Sequence, residues 1–587
     1  MNEKKQLVVR AVNLEKHFPD KISGGQLTAL DKVNIEVAEG SMTAVIGPDG
    51  AGKTTFLRLI SGILSRSGGE LEVLGLDAQK NSQKVQELLS YMPQKFGLYE
   101  DLTVQENMDL YADLHGVDKS TRQVRFAKLL KMAGLEPFTE RLAGKLSGGM
   151  KQKLGLVCTL VRSPKLLLLD EPTVGVDPLS RRDLWQIIQQ LVADEHLTVL
   201  VSTAYMEEAE LCQKVYVLNK GRVLASGTPQ ELRAMTDGMC YKMQLPQGKP
   251  ARILGSALLE DRAHVVDAVP DGGPVRFILR TGCALSDLDA YKYFGQLPTE
   301  AVPSRLEDTF MLLLHEAEEE EQTSGFTIDF TKDLALSEQK DIEVKDLLRK
   351  FGDFIAVNHT TFDVHKGEIF GLLGPNGAGK TTTFRMLCGL LPASGGEANV
   401  AGMNMRTART QARANLGYVA QKFSLYSDLS VDENLRFFGG AYGLYREKLE
   451  KRMAKVKEQF GLEALGNKAA GELPGGYKQR LSMAVGLIHE PRILFLDEPT
   501  SGIDPLARRI FWQQITALAA SGTTIIITTH FMDEAEYCDR MMIQDAGTMI
   551  ALGTPTAILA QAGNAATMND AFIAIVEQGR ATKEVTA

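Results

Sequence analysis

Two nine-residue runs carry the plainest chemistry: "GPDGAGKTT" from Gly47 and "GPNGAGKTT" from Gly374. The first follows the apolar "AVI" and leads into "TTFLRLISGI", a strand, a glycine-rich turn and a helical pattern. In that setting the turn closes backbone N–H groups around phosphate oxygens, and the helix N-terminus adds partial positive charge. Gly47, Pro48, Asp49, Gly50, Ala51, Gly52, Lys53, Thr54 and Thr55 make one cradle. Gly374, Pro375, Asn376, Gly377, Ala378, Gly379, Lys380, Thr381 and Thr382 make the other. Lys53 and Lys380 are expected to reach the outer phosphates of ATP, and Thr54 and Thr381 to ligate Mg²⁺.

A second pair of runs, "KLLLLDE" and "RILFLDE", reads as buried parallel strands ending in carboxylates. Asp170 and Asp497 stand where a carboxylate steadies Mg²⁺ through its ligands. Glu171 and Glu498 follow them, placed to polarise an attacking water as general bases. Phe18 in "KHF" and Phe351 in "RKF" lie upstream of the cradles. Either ring could stack on adenine, with ordinary core packing as the alternative.

These residues recur because the chain is written twice. The two cradles lie 327 residues apart, and Gln94 and Gln421, Ser147 and Pro474, and Asp170 and Asp497 keep that spacing. One residue is then lost, so that "VLVSTAYMEEAE" answers "IIITTHFMDEAE" at an offset of 326. The expected organisation is a first domain over 1–237, a small α+β appendage over 238–315, an acidic linker over 316–340, a second domain over 341–560 and a closing helix and tail over 561–587. Within the appendage "YKMQL", "AHVVDAV" and "RFILR" read as strands, "LSDLDAYKYF" as helical, and "LEDTFMLLLHE" echoes "MNDAFIAIVEQ". The run Glu316–Glu321 reads as a solvated linker.

Composition narrows the classes. A chain of 587 residues predicts several domains, and 44% hydrophobic with 24% charged residues fits an ordinary folded protein. A formal charge of -9 argues against nucleic acid as partner. No window holds the roughly 20 apolar residues of a membrane span. The opening residues show no secretory pattern, and six cysteines without CxxC pairing predict neither a zinc site nor a disulfide framework, which suits a reducing cytoplasm.

Taken together, the phosphate loop, Gln94 and Gln421, "LSGGM" and "LPGGY", the DE-ended strands, "GVD" and "GID", and the "STAYM" and "TTHFM" segments resemble the nucleotide-binding domains of ABC ATPases. The resemblance covers residues 6–235 and 341–558, and "LYEDLTVQEN" with "MEEAE" is most similar to ATPase subunits of ABC-2-type, drug-efflux-like exporters. It implies an α/β fold class: two P-loop NTPase domains of ABC type in tandem, each with a helical subdomain, plus the appendage. It also implies head-to-tail pairing of the domains within the chain. Site one would then combine Lys53, Thr54, Gln94, Asp170, Glu171 and position 204 with Gly475 and Gly476 of "LPGGY". Site two would combine Lys380, Thr381, Gln421, Asp497, Glu498 and His530 with Ser147, Gly148 and Gly149 of "LSGGM". In the family the two glutamines join the threonines on Mg²⁺ and serve catalysis.

Two departures from the family pattern fall in site one. Ala204 stands where the family has its switch histidine, and Pro474 where it has the signature serine. Pro474 has neither a hydroxyl nor a backbone N–H to give. Lost donors aimed at developing charge typically cost about two to three orders of magnitude in rate each. Site one is therefore expected to hold ATP and hydrolyse it poorly, with turnover at site two. The partners implied are separate transmembrane permease subunits, docking near Lys95–Leu102 and Lys422–Leu429, and the location the inner face of the cell membrane. The competing reading is a tandem ABC factor acting on ribosomes. The acidic linker counts against it, as the "DLTVQEN" style does against a sugar importer and the missing coiled coils against DNA repair.

Overall fold

The computed structural model describes residues 6–19, 25–95, 97–245, 249–317, 326, 328–330, 336–421, 423–501 and 503–586. The chain forms two compact units. One holds residues 1–238 and 303–319; the other holds 239–302 and 320–587.

In the first unit a six-stranded sheet runs in the order Arg222–Gly227, Lys214–Asn219, Met42–Ile46, Thr198–Thr203, Leu166–Asp170, Leu89–Met92. All neighbours are parallel except the first pair, which is antiparallel. The fifth strand, "LLLLD", is buried at all five positions, as a strand covered on both faces must be. A second, antiparallel sheet is led by Gln26–Ala38 and Leu7–Pro19. Phe56 and Leu57 of the helix Lys53–Ile60 belong to one core with residues of both sheets. Three helices, Val104–Leu114, Lys119–Ala133 and Gly148–Leu160, make the helical subdomain. A reciprocal cap between Thr103 and Glu106 starts the first of them.

The second unit repeats this plan. Its six strands run Leu416–Val419, Ile493–Asp497, Thr524–Thr528, Ile369–Leu373, Arg540–Asp545, Thr548–Gly553. The helix Lys380–Leu387 follows the second cradle, and Ser430 and Glu433 repeat the capping pair.

The stretch read as one appendage over 238–315 is divided. Residues 239–302 form a four-stranded antiparallel sheet, Val265–Pro270, Val275–Leu279, Cys240–Met243, Thr299–Ala301, around their own core. The helix Ala251–Glu260, which the sequence reading did not single out, packs on this sheet. Where "LSDLDAYKYF" reads as one helix, the structure has a turn of 3₁₀ helix, Leu285–Asp287, and a single helical turn, Tyr291–Phe294. This module belongs to the second unit. The helix Leu306–Ala317 belongs to the first, where the Thr309 hydroxyl donates to the Leu232 carbonyl. The helix Met568–Thr586 packs on the matching elements of the second copy. The module is thus inserted between the body of copy one and its closing helix. The helix reaches Ala317, into the expected linker, whose residues 318–325, 327 and 331–335 lie outside the described ones. All six cysteines are free, and no helix among the described residues is long and apolar enough to cross a membrane.

Candidate nucleotide-binding sites

Each cradle is a strand-to-helix turn whose shape depends on glycine. A Cβ on Gly47 would meet the Leu218 carbonyl oxygen at 2.3 Å, and one on Gly374 the Gln544 carbonyl oxygen at 2.1 Å. Gly52 and Gly379 both hold φ at 105°, which L side chains rarely adopt. Gly50 and Gly377 also have positive φ and face open space. Lys53 is buried, its Nζ donating to the carbonyls of Gly47 (2.7 Å) and Pro48 (3.2 Å). Lys380 donates to Gly374 and, at 3.1 Å, to Pro375.

The strand ends bring the carboxylates to the cradles. In copy one the Thr54 hydroxyl donates to Asp170 Oδ1 (3.0 Å), and Ser202 donates to the same oxygen (2.6 Å). Tyr91 donates to Asp170 Oδ2 at 3.0 Å, and burial first, then the aspartate's charge, push the phenol up to about 12. In copy two Thr528 donates to Asp497 (2.6 Å); burial raises that carboxyl, opposed by the hydroxyl and supported by the charge of Glu498. Glu171 and Glu498 sit at φ 48° and 45°, left-handed conformations unusual for glutamate. Gln94 donates to Glu171 at 2.7 Å and Gln421 to Glu498 at 2.6 Å, a pairing the sequence reading did not single out.

Around Glu171 and Glu498 the copies diverge. Glu171 lies 3.4 Å from Lys53 Nζ, and Ala204 is a half-buried methyl. His530, 1% exposed, has Nδ1 3.3 Å from Glu498 Oε2 without hydrogen-bond geometry, and its Nε2 has no partner among the described residues. Burial raises the Glu498 carboxyl. His530, with Lys380 and Gln421, outweighs burial and holds it below its ordinary value.

The signature residues lie at helix starts. Ser147 caps the helix Gly148–Leu160 by accepting from Met150 N at 3.3 Å, whereas Pro474 gives the helix Gly475–Leu487 no side-chain cap. A Cβ on Gly149 would strike the Ser180 side chain at 2.2 Å; Gly475 and Gly476 face open space. Neither Phe18 nor Phe351 is a core residue: the first is half-buried under Lys16 (4.9 Å), the second 47% exposed under Arg349 (4.4 Å). Of the expected docking stretches, Phe96 and Lys422 lie outside the described residues, while Tyr99 and Tyr426 are about half exposed.

Sequence reasoning missed a buried acid in each copy. Glu208 accepts from Thr173 and, at 2.5 Å, from Thr203; Glu534 accepts from Thr500 and, at 2.8 Å, from Thr529. Each acid ties the residue just before position 204 or 530 to the turn after Glu171 or Glu498. The signal was present in the repeat itself: "EPT" and "MEEAE" answer "EPT" and "MDEAE" across the very segment where the histidine changes.

The residues fit Mg-ATP on this geometry: a glycine-built cradle with open space at its mouth, a buried lysine, and an unpartnered imidazole nitrogen beside the acid of site two. Hard oxygen and amide donors, with phosphates completing the shell, are what Mg²⁺ prefers. Two such cradles, each between a phosphate-binding helix and a strand-end Asp-Glu pair, define a P-loop ATPase with duplicated nucleotide sites. The chain belongs to the ABC transporter family, whose model matches residues 30–174 and 357–501. It is 47% identical over 576 residues, 97% of this chain and 98% of the relative, to the probable multidrug ABC transporter ATP-binding protein YbhF of Escherichia coli (strain K12). It is 44% identical over 215 residues, 36% of this chain and 66% of the relative, to the Nod factor export ATP-binding protein I of Cupriavidus pinatubonensis (strain JMP 134 / LMG 1197). A solved ATP-binding subunit of an ABC transporter aligns over 39% of this chain and 92% of its own, at 29% identity and a TM-score of 0.35. Domains of this family bind Mg-ATP, and the chain is an ATP-binding, ATP-hydrolysing ABC transporter motor.

Proposed function

We propose that this motor drives export through separate membrane-spanning subunits, and that its two nucleotide sites are unequal. Site two, on the second cradle, turns over; site one, on the first, holds ATP. The difference between His530 and Ala204 beside otherwise matching carboxylates carries this reading.

In site two Thr381, Gln421 and Asp497 would hold Mg²⁺, which supplies charge neutralisation for the transferring phosphoryl group. Glu498 takes the proton of the attacking water, and Gln421 fixes one of its oxygens. His530 stands against the acid with its Nε2 unpartnered, and the head-to-tail pairing that the family resemblance implies would add the Ser147 hydroxyl. In site one Lys53, Thr54, Gln94, Asp170 and the glycine turn keep the binding contacts. Ala204 and Pro474 remove two donors from the transition state, which raises the barrier without loosening the ground state.

Export is supported by the relatives, whose names speak of multidrug transport and Nod factor export. Docking of membrane subunits is supported by exposed aromatics: Tyr426 packs edge-to-face on Phe437 at 5.0 Å, both half exposed. The chain would then work on the inner face of the membrane.

Steady-state ATP hydrolysis of the wild type, Glu171→Gln and Glu498→Gln, with membrane subunits bound, tests the asymmetry. Glu498→Gln should abolish turnover and Glu171→Gln should leave most of it. Equal losses would sink the unequal-site reading.

A further inference from the structure

We propose that the inserted module, residues 239–302, is a positioning element for the hydrolytic site of the second copy, and that Arg252, Asp267 and Gly272 are its grip. The inference rests on the reading of site two as the site of turnover.

Arg252, Asp267 and Gly272 each join the module to the framework of that site. Arg252 makes a two-pronged ion pair with Asp539, Nε to Oδ1 and Nη2 to Oδ2, both at 2.9 Å, and both side chains are buried. Asp267 pairs with Arg509 Nε at 3.0 Å, again with both partners buried. The backbone N–H of Gly272 donates to Glu536 at 2.8 Å. Glu536 ends the short helix Met532–Ala535, which begins two residues after His530, and Asp539 leads into the next strand. Arg509 lies on the helix Pro505–Ala520, just past "GID".

From there the connection to the chemistry runs through Arg508 and Glu534. Arg508, beside Arg509, lies 3.5 Å from Glu534. Glu534 holds Thr500, two residues after Glu498, and Thr529, next to His530. The module therefore holds both elements whose spacing sets the His530–Glu498 distance, while its residues named here stand outside the cradle.

Copy one lacks the matching surface. Gln213 occupies the place of Asp539. Both cap a strand, Gln213 accepting from Met42 N at 2.6 Å and Asp539 from Ile369 N at 2.9 Å, but only Asp539 brings the charge that Arg252 needs. Glu210, at the place of Glu536, accepts from Leu306 N of copy one's closing helix. Arg182, matching Arg509, is 40% exposed beside Asp183. Buried ion pairs cost several kcal/mol in desolvation per ion, and their best-attested use is to fix register. Here two of them fix the module on the copy that keeps its histidine.

The test uses the full-length protein with its membrane subunits, in a Glu171→Gln parent whose turnover is site two's alone. Asp267→Arg should lower kcat roughly ten-fold with the ATP dissociation constant held within about two-fold, as expected for misplaced rather than missing groups. Arg509→Asp should do the same, and the double variant Asp267→Arg/Arg509→Asp should recover most of the rate. Where Asp267→Arg does not fold, Asp267→Asn, which keeps the volume and removes the charge, is read in the same assay. Unchanged kcat in these single variants, or a double variant no better than either, overturns the proposal. Loss of all turnover in the Glu171→Gln parent overturns the reading beneath it instead.

Discussion

In copy one Ser202 donates to Asp170 at 2.6 Å, and in copy two Thr528 donates to Asp497 at the same distance. Two residues further on, copy one carries Ala204 and copy two His530. Glu171 and Glu498 keep the same left-handed backbone and the same glutamine partner on both sides. The buried acids Glu208 and Glu534 tie the same two threonine positions. The framework that positions the switch residue thus persists where that residue has lost its imidazole. Binding and scaffold depend on many groups that must all be kept for the domain to fold. Turnover, on the reading proposed above, depends on a few donors that can be lost without disturbing it.

The sharpest way to break this comparison is His530→Ala, which makes site two resemble site one. It should lower kcat by about two to three orders of magnitude while ATP affinity changes little. A loss below about five-fold in single-turnover hydrolysis would mean that Ala204 is no handicap to site one.

A large effect is also expected where the inserted module covers copy two. Burial, helped by the charges of Asp271 and Asp533 and opposed by the Gly272 N–H and Lys242, pushes the Glu536 carboxyl up to about 7 from an ordinary 4.5. The folded protein then keeps a proton that the unfolded chain gives up. This group's contribution is fully present below about pH 4.5 and lost as pH rises to about 7, a swing on the order of 3 kcal/mol. Glu536→Gln removes the swing. Its stability relative to wild type should climb between pH 4.5 and 7 and stay flat above. A difference independent of pH in thermal melts would show that Glu536 is not buried as described.

How much of this was legible in the sequence follows from how local each feature is. The cradles, the strand-end acids and the general-base glutamates sit in contiguous runs, and the duplication itself marks their partners. The exchange of His530 for Ala204 shows as one mismatch in a matched line. The docking of the inserted module does not show, because Arg252 meets Asp539 and Asp267 meets Arg509 across 287 and 242 residues with no local pattern between them. Sequence order places the module after copy one; packing charge places it on copy two. The helix Ala251–Glu260 was missed for a related reason: seven of its ten residues are buried, so the polar face that marks an amphipathic helix is short.

A smaller effect runs the other way, from site one toward site two. In a Glu498→Gln background, Ala204→His with Pro474→Ser restores both missing donors and should raise residual hydrolysis about ten-fold, less than the full factor because neither new side chain is packed for its task. No gain in radiolabelled phosphate release would place the handicap of site one elsewhere than in these two positions.

The smallest effect tests whether the copies are equal away from their sites. Thr103 accepts from Glu106 N at 3.1 Å and Ser430 from Glu433 N at 3.2 Å, each with the glutamate returning the bond at 2.8 Å. Thr103→Ala and Ser430→Ala each remove one cap, at a cost of about 1 kcal/mol. Hydrogen exchange in the helices Val104–Leu114 and Val431–Ala441 should quicken by similar factors, roughly five-fold for that energy. Matched losses confine the asymmetry to the catalytic side chains and the inserted module. A much larger loss in one helix would extend it to the helical subdomains, and the contrast in turnover would then need an explanation in their packing as well as in His530.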